Sequence, residues 1–143
     1  MRIIKIIVAG LIAGLVMGVA LFLTGVIAAF FVFGSEMASA GKFAEWQMDA
    51  WYFFWTKLVI GVLFGILFAL IYAKLYTSER CGALRGLLYA VTLWLVISLW
   101  GISHPLVYGS IDIHNQLFWH IYTLGGFLAY GVTLGFICKR LGV

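Results

Sequence analysis

The side chains in this sequence that can do chemistry are few, and most of them stand at the ends of long apolar runs. Three are histidines: His104, His114 and His120. His114 and His120 are six residues apart, so one helix does not present them together; a metal-binding pair on a helix wants i, i+4 spacing. His104 closes one apolar run and His120 opens the next, so these two can meet across a pair of helices. A bis-histidine haem, a metal ion or a quinone head could be held between them. Asp112 and Gln116 would then orient the imidazoles, Gln116 lying one turn before His120. The plainer reading is a histidine at an interface, bonded to a loop carbonyl, and both readings stand at this point.

Lys57 interrupts an apolar stretch and follows Trp51, Tyr52, Phe53, Phe54 and Trp55. The ordinary expectation is that its ammonium snorkels to the lipid headgroups. The alternative is a functional ammonium inside a cavity. The acidic residues say more by their places. No Asp or Glu lies inside any of the apolar runs, whereas proton-coupled export needs a carboxylate at depth and a di-iron bundle needs paired glutamates. Phosphate loops, H-E-x-x-H and G-x-S-x-G are also missing from the sequence.

What must position these groups is set by composition. The chain has 143 residues, of which 65% are hydrophobic and 10% charged. A water-soluble domain has about half and about a quarter, respectively. Disordered chains deviate in the opposite direction. The sequence therefore predicts a membrane protein. A spanning helix needs about 20 apolar residues, and four such spans fit, at about 6–33, 52–74, 86–103 and 117–138. The runs are apolar on every side, as in Leu58 to Ala73, which favours helices over the alternating strands of a barrel. The expected fold is all-α: one integral-membrane four-helix bundle with the lipid bilayer as its surroundings. Ala38-Ser39-Ala40 resembles a signal-peptidase site, but the preceding apolar run far exceeds the usual 7–15 residues, so span 1 is read as retained.

Charge sets the expected orientation. Arg2, Lys5, Lys74, Arg80, Arg85, Lys139 and Arg140 fall on one side of four alternating spans, and Lys42 and Lys57 on the other. Positive loops stay inside, so both termini are expected in the cytoplasm, in a cell inner (plasma) membrane. Glu36, Glu45, Asp49 and Asp112 then lie outside. The net charge of +4 reflects that bias. Its scatter over short segments gives no nucleic-acid footprint. Tryptophans toward the outer ends and Tyr72, Tyr76 and Tyr89 toward the inner ends form two interfacial belts. Cys81 and Cys138 fall on the inner side, where thiols stay reduced, and they form no C-x-x-C pair.

Small residues recur at four-residue spacing: Gly10, Gly14 and Gly18; Gly61 and Gly65 with Ala69 and Ala73; Gly86 and Ala90; Gly131 and Gly135. Such stripes let helix backbones touch in lipid, either within the chain or against a second subunit. The segment from Gly34 to Ala50 is expected to carry a short amphipathic helix on the outer surface, with Phe43, Trp46, Gln47 and Ala50 on one face. The second outer loop, Ile102 to Gln116, holds the only proline, Pro105. A short inner loop should make spans 2 and 3 a tight antiparallel hairpin. Residues 52–74 align with 117–139 at an offset of 65 with four identities (Phe53/Phe118, Gly61/Gly126, Leu63/Leu128, Lys74/Lys139), against roughly two by chance, so a repeat is only weakly marked.

Function follows less directly. The stripes, with no charge at depth, point to a non-enzymatic structural or accessory subunit that associates with itself or with other membrane subunits. The second expectation is a small oligomeric transporter or channel lined by Thr24, Thr92, Ser98, Thr123 and Thr133. The third is the haem, metal or quinone site at His104 and His120.

Overall fold

The computed structural model describes the backbone of residues 2–37, 42–76, 81–108 and 113–142, and the side chains of 2–31, 34, 50–76, 81–101 and 116–142. Four helices account for nearly all of it: α1 (Arg2–Met37), α2 (Lys42–Leu75), α3 (Ala83–Tyr108) and α4 (Ile113–Leu141). Each contains a segment long and apolar enough to cross a membrane: Arg2–Phe31, Ala50–Leu75, Ala83–Gly101 and Gln116–Leu141. In hydrocarbon every backbone N–H and C=O must pair within the chain, and a helix does so alone.

Burial is inverted relative to a water-soluble bundle. Ala9, Ala13, Ala28, Ala69 and Ala90 are fully buried, while Phe31 is 84% and Leu99 is 68% exposed. An apolar skin of this extent would aggregate in water. Against lipid tails it carries no cost. This is the surface of a multi-pass membrane protein.

α1 packs on α2 and on α4, and α4 packs on α3. Glycines explain each contact. A Cβ on Gly10 would come 2.7 Å from the Cα of Ile66, one on Gly14 2.9 Å from that of Val62, and one on Gly18 2.7 Å from that of Leu58. Gly61 and Gly65 answer them from α2, against the backbone of Gly14 and Gly18. On the other side, Gly86 meets the backbone of Gly131 and Gly135, and Gly135 also meets that of Gly82. Between these pairs, Gly125 and Gly126 receive the side chains of Thr24 and Leu21. The Thr24 hydroxyl donates to Ala20 O at 2.7 Å and across the seam to Tyr122 O at 2.8 Å.

These registers make neighbouring helices antiparallel. One end of the bundle thus carries the termini and the α2–α3 connection, and is called the terminal end. The other, the loop end, carries the remaining connections. Lys5 Nζ caps the terminal end by donating to Leu141 O at 2.8 Å, satisfying one of the carbonyls a helix leaves open. Lys74, Lys139 and Arg140 occupy last turns, where cations oppose the negative pole of the helix dipole. Gly142 follows with φ of 64°, the left-handed residue that commonly ends a helix.

Three expectations are corrected. Spans 2 and 3 do not form a tight hairpin: α2 and α3 have no extended backbone contact among the described residues. Phe64, Phe68, Tyr72 and Tyr89 stand where glycines would be needed, and rings hold the helices apart. The amphipathic stretch 43–50 is not a separate surface helix. Its backbone forms the first turns of α2, which runs unbroken from Lys42 to Leu75. The second loop is shorter than expected, since the backbone of α3 continues through Pro105 to Tyr108. The side chains of Phe43, Trp46 and Gln47, and the segment Ala38-Ser39-Ala40, lie outside the described residues.

Candidate functional site

The gap between α2 and α3 is not filled along its whole length. Toward the terminal end it is closed. Tyr72, Tyr130, Leu134 and Cys138 are fully buried, and the Tyr72 ring lies 4.8 Å from Tyr76 and 5.2 Å from Tyr89. Tyr89 donates its hydroxyl to Phe68 O at 2.9 Å, and Tyr130 donates to Gly65 O at 3.0 Å. Above Phe68 the packing opens into a cavity of about 290 Å³. Its walls are Met17 and Leu21 of α1, Lys57, Ile60, Phe64 and Phe68 of α2, Ile97 of α3, and Trp119, Tyr122, Thr123 and Phe127 of α4. Among the described residues, α3 contributes one wall residue, Ile97.

Lys57 stands at the loop end of this cavity. Gly18, whose position the Lys57 carbonyl abuts, is near the middle of the apolar segment Arg2–Phe31. The lysine backbone is therefore level with the centre of α1. Its ammonium lies beside Phe53, one turn nearer the loop end, which is the direction snorkelling takes. Nζ lies 4.7 Å from the ring centre of Phe53 and 5.0 Å from that of Tyr122, and donates to the Tyr122 hydroxyl at 3.3 Å. A cation over aromatic faces gains about 0.5–2 kcal/mol, more as water is removed. Tyr122 is itself braced by Phe118 and Phe53, with ring centres 5.0 and 6.2 Å away. Phe53 also lines a second cavity of about 380 Å³, walled by Gly25, Val26 and Ala29 of α1, Ala50, Tyr52 and Thr56 of α2, and Phe118 of α4.

The sequence-derived site is only partly covered. Asp112 and the side chains of His104 and His114 lie outside the described residues. Gln116 is half-buried in the first turn of α4's apolar segment. His120 is half-buried between tryptophans, edge-on to Trp119 at 5.2 Å and to Trp94 at 6.2 Å. Both of its ring nitrogens are buried without a hydrogen-bond partner among the described residues, as is Ser98 Oγ. No group of three His, Cys, Asp or Glu side chains able to hold a metal occurs among the described residues.

Three of the hydroxyls proposed to line a pore bond within the bundle. Thr92 is exposed and donates its hydroxyl to Leu88 O at 2.9 Å. Thr24 is spent in the α1/α4 seam. Thr123 donates to Trp119 O at 2.7 Å and accepts from Trp94 Nε1 at 3.1 Å. Cys81 and Cys138 are buried at the terminal end and form no disulfide. Burial pushes the Cys81 thiol above its ordinary value, against the pull of the Arg85 and Arg2 charges.

The residues that the sequence did not single out as a set are Phe53, Lys57 and Tyr122. The available signal was Lys57 itself, a lone cation behind an aromatic run. Tyr122 is exactly the residue that the 65-residue offset aligns with Lys57, and Tyr130 aligns with Gly65 in the same way. α2 and α4 run parallel, so the offset marks positions at equal height.

No family model, curated protein or solved structure matches this chain.

Proposed function

We propose that this chain is a non-enzymatic accessory protein of the inner (plasma) membrane, with cytoplasmic termini, that holds a lipid-like guest in the cavity between α2 and α3. The carrying observation is the cavity of about 290 Å³ at the centre of the bundle, walled almost wholly by apolar side chains. That volume stands at the lower edge of small-molecule pockets, about 300–1,000 Å³. The orientation rests on the gathering of Arg2, Lys5, Lys74, Arg85, Lys139 and Arg140 at the terminal end, which the positive-inside rule assigns to the cytoplasm. Self-association draws no support from the small-residue stripes, because their faces are occupied within the chain. Partner subunits would have to meet the outer apolar surface.

Native mass spectrometry of the chain released from a neutral detergent tests the reading. A bound apolar mass is expected on the wild type and is expected to be lost from Ile97→Trp, whose larger side chain fills the cavity. Absence of any such mass, or its persistence in the filled variant, would refute the proposal.

A further inference from the structure

Resting on the cavity reading above, we infer that the guest is an amphiphile with an acidic head: an alkyl chain lying along α2 and a carboxylate or phosphate group held by Lys57 and Tyr122.

Lys57 and Phe68 mark the ends of the cavity. They are eleven residues apart on α2, about 16 Å along the axis at 1.5 Å per residue. All wall residues below Lys57 on α2 are apolar: Ile60, Phe64 and Phe68. The opposite wall, from Tyr122 to Phe127, ends in the Phe68–Phe127 ring pair at 6.1 Å. The cavity therefore has one polar end and one dry end, the division of an amphiphile.

The polar end carries a cation, Lys57. An ammonium has three N–H donors, and among the described residues Lys57 has a single acceptor, the Tyr122 oxygen. An ammonium held in an apolar wall with donors unused is costly. An anionic head would take up the remaining donors through charge-assisted bonds, which are about twice as strong as neutral ones. The Tyr122 hydroxyl, which accepts from Lys57, keeps its own proton to donate to the same head. A neutral ester or alcohol offers neither the charge nor the second acceptor oxygen in the right place. The acid can be a free fatty acid or an anionic phospholipid of the bilayer, since both present the same chemistry to Lys57.

The test is equilibrium binding of radiolabelled palmitate to the purified full chain in neutral detergent. Unlabelled palmitate, methyl palmitate, phosphatidylglycerol and phosphatidylcholine are the competitors. Palmitate is expected to compete at least tenfold better than its methyl ester. Lys57→Met is expected to lose at least tenfold in palmitate affinity, and Lys57→Arg to keep most of it. Phosphatidylglycerol competing where phosphatidylcholine does not would identify a bilayer lipid as the source of the head; failure of both would identify the free acid. Equal competition by acid and ester, with both lost from Ile97→Trp, would overturn the acidic-head inference and leave the cavity reading standing. Undiminished palmitate binding by Lys57→Met would overturn it as well. No binding of either to the wild type would refute both.

Discussion

The two faces of α2 behave in opposite ways. One carries Gly61 and Gly65 and lies with its backbone against α1, closely enough that an added Cβ on either would collide with it. The other carries Phe64, Phe68 and Tyr72 and meets α3 only through rings and one hydroxyl. Both faces are apolar, so hydrophobicity cannot have chosen between them. In lipid it exerts almost no pull between helices, and backbone proximity depends on how small the intervening side chains are. Three seams of this bundle close on glycine and alanine. The fourth side is propped by aromatic rings, and it is there that a void and a lysine persist.

The sharpest way to break this contrast is to put a large side chain into a seam. A Cβ on Gly131 runs into the Gly86 carbonyl oxygen and the Ala90 methyl, and backbone cannot move aside as a side chain can. Gly131→Leu should therefore lie at or beyond the upper end of overpacking costs, about 3 kcal/mol or more. Gly34 has nothing within 4 Å among the described residues, so Gly34→Leu should leave stability unchanged. Thermal melting of the three proteins in one detergent reads both results. A Gly131→Leu protein that melts with the wild type would show that the seams do not hold the bundle.

On the ring-propped side, removal is the informative change. Phe68 is 7% exposed and packs on Phe64, Phe127 and Tyr130. In water, Phe→Ala in a core costs about 3–5 kcal/mol, part of it transfer from water. Separated helices stay in hydrocarbon here, so that part drops out and the cavity term remains. Phe68→Ala should cost about 2 kcal/mol. It should also enlarge the guest cavity, admitting longer alkyl chains in the binding assay. A loss as large as that of Gly131→Leu would mean that rings and glycines contribute alike.

How much of this was legible follows from the same physics. The four spans could be read because charges are too costly at depth to be placed casually, and the runs between them had the length of a bilayer. The stripes at Gly10, Gly14 and Gly18 were visible as stripes, but the partner of each was not, since Gly61 and Gly131 look alike to a sequence pattern. The hairpin between spans 2 and 3 was misjudged because a short connection was taken to bring helices together. The connection limits the distance, and Phe68, Tyr72 and Tyr89 decide it. The partner of Lys57 could not be read, because Tyr122 lies 65 residues away and no local spacing reports on it. His120 stood out for its chemistry, but that Trp94, 26 residues earlier, packs edge-on to it could not be read from spacing.

The smallest effect separates the rings from their hydroxyls. Tyr89 and Tyr130 each donate to a carbonyl of α2, at Phe68 and Gly65, three residues apart on one helix. Those carbonyls also serve the helix ladder, and interhelical bonds in membranes average about 0.6 kcal/mol. Tyr89→Phe keeps the ring and removes the bond, so it should cost about that much, and Tyr130→Phe the same. The two acceptors are close enough to couple. If the hydroxyls act as paired struts, the double variant loses more than the sum of the single ones, because one remaining bond no longer fixes the separation of α2 from α3 and α4. If the losses simply add, the rings alone set the width of the gap, and only changes in ring size should alter the cavity.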